Sequence, residues 1–369
     1  MQNKRLDHPG KIIVDVFKKI IGKVLFIPQS FSQNLAIDLG TANTLIYQQN
    51  KDIILNEPSM VAIMFEKKDN YNKKKVIAVG NVAKTMLGKT PEQITVVRPM
   101  RDGVIADFEV TEEMIKYFIK QVNKGRSIFS LSPVIVICVP CGSTQVERRA
   151  IKDSVLAAGA RRVELLEEAM AAAIGAGLPV SSPRASMVVD IGGGTTEIGV
   201  ISLGGLVYSN SIKIAGNKID ETIVNYIKTA HGLLIGDTTA EDIKKNIASA
   251  HESCPIQEMT IRGRNIYDGL PKSIVINSTE IRHALSGILD QIVAGIKNAL
   301  NVTPPELSAD LIEAGIVLTG GGALLQGVDI LIHEQTQISV IVAEDPLFCV
   351  VKGCGMTLDQ ITNRRVSTH

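Results

Sequence analysis

Asp190 ends the apolar run Met187-Val188-Val189, and Ile191 with three glycines, Gly192, Gly193 and Gly194, follows it. Then Thr195-Thr196-Glu197-Ile198-Gly199-Val200 resumes a β-forming chain. This pattern predicts a hairpin whose turn leaves backbone N–H groups uncovered. Glycine lets a ligand approach closely and accepts positive φ. Bare N–H groups in such a turn make an anion-binding concavity. An aspartate at the strand end suits a hydrated magnesium, which keeps several waters and takes few protein carboxylates. One such stretch fits an unliganded hairpin equally well, since glycine-rich turns are common. A second copy changes the balance. Leu35-Ala36-Ile37-Asp38-Leu39-Gly40-Thr41-Ala42-Asn43-Thr44-Leu45-Ile46-Tyr47 has the same order of apolar strand, Asp, polar turn and strand. Two phosphate hairpins far apart in one chain imply two similar lobes facing one nucleotide.

A third glycine turn, Thr319-Gly320-Gly321-Gly322-Ala323, follows the apolar run Ile316-Val317-Leu318 and precedes a helical pattern. A helix N-terminus with bare glycine backbone suits an α-phosphate and the flat face of adenine. None of these turns holds a full G-x-G-x-x-G, which argues against a dinucleotide. Leu87-Gly88-Lys89-Thr90 ends like a P-loop, but Ala83 stands where that motif needs glycine. Glu167 and Glu168 open a small-residue helix running to Gly177. Acids at a helix start often only complement its dipole, yet one placed between two phosphate loops can orient a water on the γ-phosphate.

These side chains need elements to carry them. Strands are expected over residues 53–55, 60–65, 76–79, 134–139, 163–166, 206–214, 259–261 and 273–276, with a polar turn over 66–75. Thr111 reads as a helix cap, and Thr144 with Glu147 as a capping box. Thr238 with Glu241 reads as another, with Lys244 one turn on. Gly216 opens a helix ending near Gly232, and Ser278 one reaching Val302. Residues 346–361 read as a last helix, in which Gly353 and Gly355 permit close packing.

Length allows two lobes. Net charge is +1, so no global field favours nucleic acid, and with no tryptophan and few aromatics the chain lacks stacking platforms. Five cysteines, an odd number, suit a reducing cytoplasm. Cys138 and Cys141 have C-x-x-C spacing but no second pair, so neither zinc nor redox use is expected.

Residues 11–27 put Lys11, Asp15, Lys18, Lys19, Gly22 and Lys23 on one helical face. Ile12, Ile13, Val16, Phe17, Ile20, Ile21 and Val24 cover much of the rest. Such a helix lies in a membrane interface. Six basic against two acidic side chains before residue 34 suit anionic lipid. Charges interrupt any spanning run, and a secretory leader or a helix packed on the body are the alternatives. Ile128 and Phe129, at a loop, tuck into the core or make a second membrane contact.

Three glycine turns in this order, two of them Asp hairpins, resemble the actin, Hsp70 and sugar-kinase superfamily, and within it the MreB family of bacterial actin-like proteins. The resemblance covers about residues 34–363. It also rests on Arg98-Pro99-Met100-Arg101-Asp102-Gly103-Val104-Ile105-Ala106-Asp107-Phe108, Val146-Glu147-Arg148-Arg149-Ala150 and Met170-Ala171-Ala172-Ala173-Ile174-Gly175. It implies an α/β actin-like ATPase fold of two duplicated ribonuclease-H-like lobes, each with a small inserted subdomain. The expected division is 1–33 as membrane segment; 34–56, 98–178 and 345–369 as the first core; 57–97 as its insert; 179–206 and 278–344 as the second core; and 207–277 as its insert.

The resemblance also assigns roles. Asp38 and Asp190 would hold Mg2+ through waters. Gly40, Thr41, Ala42 and Asn43 with Gly192, Gly193, Gly194 and Thr195 would cradle the phosphates of ATP. Glu168 and Thr195 would place the water. Gly216, Glu241, Asp242, Ile243, Lys244, Gly320, Gly321, Gly322 and Ala323 would surround sugar and base. Family members also bind membrane through an N-terminal amphipathic helix or a hydrophobic loop, here residues 11–27 and Ile128-Phe129. Two residues depart from the family pattern. Ala169 stands where proline usually follows the catalytic acid, leaving the helix start less fixed, and Cys141 replaces a usual serine. The implied protein is a slow ATPase that forms homopolymers, as paired protofilaments, on the cytoplasmic face of the inner membrane. Its expected partners are anionic lipid and membrane-embedded cell-shape and wall-synthesis proteins. Two other classes share the fold. A small-molecule kinase has no use for a basic amphipathic helix. A chaperone ATPase needs a substrate domain, whereas eight residues follow Ile361.

Overall fold

The computed structural model describes residues 34–68, 71–123 and 132–366. Residues 11–27, Ile128 and Phe129 therefore lie outside the described residues. Two five-stranded sheets dominate. In the first, Leu35–Leu39 runs antiparallel to Asn43–Gln48, which pairs with Asp52–Pro58. On its other side Leu35–Leu39 is parallel to Val134–Val139, and that strand to Arg162–Glu167. The second sheet repeats the plan. Ser186–Ile191 pairs antiparallel with Thr196–Ser202, then Gly205–Ile212, and parallel with Ile316–Thr319, then Val340–Val342. Counted along each lobe, both sheets read third, second, first, fourth, fifth.

The central strands Leu35–Leu39, Val134–Val139 and Ser186–Ile191 are buried along their whole length. Helices cover both faces, which is why these strands read as continuous apolar runs. The carboxylates of Asp38 and Asp190 sit near the ends of the two leading strands, where parallel sheets open crevices. Behind the second sheet lies helix Ser278–Val302, started by a capping box of Asn277 and Glu280. Its Ile281, Leu285, Ile288, Leu289, Ile292 and Ile296 recur at helical spacing and enter the core.

Between the sheets lies helix Glu168–Gly175. Its Ala169, Ala171, Ala172 and Ala173 share one cluster with Val136 of the first sheet and Val188 and Ile201 of the second. Helix Cys349–Val366 packs along it backbone to backbone. A Cβ on Gly175 would stand 1.7 Å from the Cys349 carbonyl oxygen, and one on Gly353 1.9 Å from that of Ala171. The close packing expected at Gly353 is thus present. Gly355 faces the Tyr47 ring, 2.7 Å from where its Cβ would be.

Several local expectations need correction. The polar turn over 66–75 is instead two paired strands, Val61–Lys68 and Tyr71–Val79, which with Ile94–Val97 form the first small sheet. Asp107, not Thr111, caps helix Phe108–Val122 by accepting from the Val110 N–H. Thr111 is buried inside that helix and donates to the Asp107 carbonyl. Thr238 caps nothing, because helix Asp237–Asn246 starts after Gly236 without a side-chain cap. The Thr144 and Glu147 box is present. Strand Gly205–Ile212 belongs to the second large sheet, so residues 207–212 lie in the core lobe, not its insert. That insert carries a sheet of Leu233–Leu234, Glu258–Asn265 and Pro271–Asn277.

Gly353→Ala tests the helix contact. Propensity alone would stabilise the helix by about 1 kcal/mol, whereas overpacking costs about 1–3 kcal/mol or more. The clash is with backbone, which cannot step aside, so net destabilisation is expected in urea unfolding. A variant as stable as the parent would mean that the two helices separate freely.

Candidate functional site

The two Asp hairpins meet face to face. A Cβ on Gly193 would lie 2.6 Å from the Ala42 Cβ, and one on Gly194 2.5 Å from the Thr41 Oγ1. No other residue fits at these two positions without moving the opposite turn. The Thr41 hydroxyl accepts from the Gly103 N–H at 3.1 Å, which ties in the segment 98–108. Gly192 and Gly193 offer their carbonyls to the N–H groups of Gly216 and Asn217 at 3.1 and 2.8 Å, so helix Gly216–His231 starts on this turn. The third turn closes against the same place. Gly320 has φ +78°, and its Cβ would meet the Ile191 carbonyl oxygen at 2.4 Å. Gly321 is exposed, Gly322 half-buried and Ala323 buried. A short 3-10 turn, Gly321–Leu324, intervenes before helix Val328–Thr336. Asn43 is exposed at the rim of the first turn.

Four carboxylates gather here. Asp38 and Asp190 are 8% and 3% exposed, and Glu197 is fully buried. Burial pushes Asp38 up to about 6, opposed by the Cys138 thiol, whose Sγ lies 3.3 Å from Oδ1. Burial pushes Asp190 up to about 7, opposed by the Thr319 hydroxyl donating to Oδ1 at 2.7 Å, with the charges of Asp38 and Glu197 adding to the rise. Glu168, half-buried at the first turn of its helix, is held well above the usual carboxylate range by desolvation, then by Glu197, Asp190 and Asp38. Its neighbour Glu167 is turned aside by Arg148 at 2.8 Å. Arg148 belongs to the string Val146-Glu147-Arg148-Arg149-Ala150, so that string serves to sort the two acids.

Oxygen donors that repel one another fit a hard divalent cation. Asp38 and Asp190 would hold Mg2+ through waters, and the ion would supply the positive charge that these acids lack.

Beside the second hairpin turn, Lys244 donates to the Gly216 carbonyl at 3.1 Å and to Asp220 at 2.7 Å, bracing the start of helix Gly216–His231. Glu241 pairs with Lys84 of the first small lobe at 2.9 Å, across the mouth of the cleft, and with Lys245. Despite burial, these lysines draw Glu241 down to about 2. Ile243 is a correction. Its side chain is fully buried in the core of the second lobe, while Asp242 is exposed. A 3.6-residue period separates four consecutive residues onto different faces, which leaves Glu241 and Lys244 half-buried between the exposed Asp242 and the buried Ile243. The sequence reading missed Glu197, Lys84 and Asp220, and gave Cys141 no role at the site. Overlaying the two hairpins would have exposed Glu197, because Asp190 pairs with Glu197 where Asp38 pairs with Leu45.

Duplicated lobes, facing Asp hairpins and a glycine turn closing beside them define an actin-like ATPase fold. A crystal structure of MreB 5 of Spiroplasma citri bound to AMPPNP superposes with TM-score 0.84 at 36% identity, covering 92% of this chain and 99% of that one. The MamK double helical filament shares the fold at TM-score 0.72 and 20% identity, covering 88% of this chain and 99% of that one. The family model for MreB/Mbl protein matches residues 32–366, and the chain belongs to that family. It is 55% identical to the cell shape-determining protein MreB of Escherichia coli (strain K12), over 90% of this chain and 94% of the relative. It is 49% identical to the cell shape-determining protein Mbl of Bacillus subtilis (strain 168), over 90% and 97%.

The raised carboxylates give a pH prediction for the metal-free protein. Asp38 and Asp190 bind protons more tightly folded than unfolded, from 3.8 to about 6 and about 7. Their contribution is therefore full below pH 4 and lost as pH rises through 6 and 7. Two or three units correspond to about 3–4 kcal/mol per group at most. Asp190→Asn should stabilise the metal-free protein at pH 7.5 relative to the parent, little at pH 4, and weaken magnesium-dependent nucleotide binding. Thermal melts with and without Mg2+ at both pH values measure this. A pH-independent difference would remove Asp190 from the strained cluster.

Proposed function

We propose that this chain binds and slowly hydrolyses ATP, assembles with copies of itself into actin-like filaments, and serves cell shape at the inner face of the cytoplasmic membrane. The meeting of two Asp hairpins from duplicated lobes carries this reading. Relatives named for cell-shape determination and an MreB 5 structure holding AMPPNP support it.

In this reading Gly40, Thr41, Ala42 and Asn43 cradle the phosphates from one lobe and Gly192, Gly193, Gly194 and Thr195 from the other. Gly216, Glu241, Lys244, Gly320, Gly321, Gly322 and Ala323 surround ribose and base. Glu168 holds the attacking water and, in its ionised form, takes the proton from it. Thr195 orients that water from the opposite lobe. The Lys84–Glu241 pair spans the two small lobes, so closure around the nucleotide and its binding share one carboxylate. The basic amphipathic stretch of residues 11–27 anchors filaments to anionic lipid, with Ile128 and Phe129 as a second contact. Among the described residues no helix is long and apolar enough to cross a membrane. Membrane-embedded cell-shape and wall-synthesis proteins are the partners that this placement would serve.

Sedimentation with and without ATP tests assembly. ATP-dependent pelleting is expected, and a kinase or chaperone would stay in the supernatant. Glu168→Ala should retain bound ATP but slow phosphate release by about 100-fold, the scale for losing a positioned acid–base group. Wild-type turnover in that variant would take Glu168 out of the reaction. Removing residues 1–33 should abolish most co-flotation with anionic vesicles, and salt should weaken the parent's binding. Undiminished flotation would move the anchor elsewhere, and loss on adding Ile128→Ser and Phe129→Ser would place it there.

A further inference from the structure

Every residue of strand Thr196–Ser202 is buried, and Glu197 is 0% exposed. The matching place in the first hairpin is Leu45. A leucine there costs nothing, whereas an ionised carboxylate without partners is strongly disfavoured. Glu197 also stands directly opposite Asp190, a like-charge cross-strand pair that destabilises the sheet. Its place in the fold is therefore explained by what it holds.

Its partners come from both lobes. The Cys141 backbone N–H, in the loop after Val134–Val139, donates to it at 3.0 Å. The Ser211 hydroxyl, opposite it on the next strand of the second sheet, donates at 2.5 Å. Thr195, itself buried, lies two residues before it at the end of the glycine turn. Ala169, the second residue of the helix that begins with Glu168, belongs to the buried cluster against which Cys141 packs. Two residues beyond Glu197, a Cβ on Gly199 would lie 2.8 Å from the Ala169 Cβ.

We propose that Glu197 is a positioning residue that joins the Cys141 loop of the first lobe to Thr195 and Ser211 of the second, and so sets Glu168 and Thr195 relative to each other. It touches no nucleotide itself. The inference rests on the ATPase reading for its catalytic consequence, and on the Cys141 hydrogen bond for its structural one.

Two measurements separate these. In nucleotide-free protein, Glu197→Leu, which installs the residue of the first hairpin, should speed hydrogen exchange of the Cys141 amide by about 10-fold or more while residues 135–139 keep their protection. In ATP turnover, Glu197→Gln should lower kcat by about 10- to 100-fold, the scale for misplacing reacting groups, with ATP affinity within about threefold of the parent. Glu197→Asp, which keeps the charge, should recover part of kcat, and Ser211→Ala should lower it less than Glu197→Gln. If Glu197→Leu fails to fold, the exchange of Cys141 in Glu197→Gln and Ser211→Ala decides in its place. Unchanged Cys141 exchange, or turnover at the parent's rate in Glu197→Gln, overturns the proposal. Parent protein that binds no ATP overturns the ATPase reading instead, while the exchange data still decide the tie between lobes.

Discussion

Negative charge held out of water is the constraint around which this fold is arranged. Burial raises the proton affinity of Asp38, Glu168, Asp190 and Glu197, and the neighbouring carboxylates raise those of Glu168 and Asp190 further. Such a cluster is costly in low dielectric. It persists because the surrounding chain is rigid and each carboxylate has a donor or a reason to stay protonated. Cys138 and Thr319 serve the two aspartates from behind, and Arg148 removes Glu167 from the group. A divalent cation would supply the positive charge that these residues alone leave open.

Rigidity at this place comes from small residues. Alanines of helix Glu168–Gly175 pack on both sheets, with Gly199 allowing the closest approach. The helix start was expected to be loosely fixed, because Ala169 stands where the family usually has proline. Ala169 is fully buried, in the cluster against which Cys141 packs. The two departures from the family pattern therefore meet in space.

The sequence made the lobes legible because each hairpin is local. Strand, aspartate, turn and return strand lie within 13 consecutive residues in the first copy, from Leu35 to Tyr47. Long-range partners left no such trace. Glu197 looks like one more position in a β-forming run until Cys141 and Ser211 are placed beside it. The strands around residues 66–75 were hidden because that stretch is rich in lysine and asparagine, a composition usual for turns. Thr238 failed as a cap because the pattern T-x-x-E recurs inside helices, and backbone geometry chose Gly236. Reading residues 241–244 as one block ignored the helical period that sends Ile243 into the core.

The contact between Gly175 and Gly353 has a mechanical meaning. Side chains between helices act as compliant spacers, able to change rotamer and absorb a shift. Here peptide group lies on peptide group, and there is nothing to absorb one. The helix that carries Glu168 and the helix that ends the described chain must tilt and slide as one body. A tilt of residues 349–366 would thus carry with it the acid at the cleft, more than 170 residues earlier in the sequence.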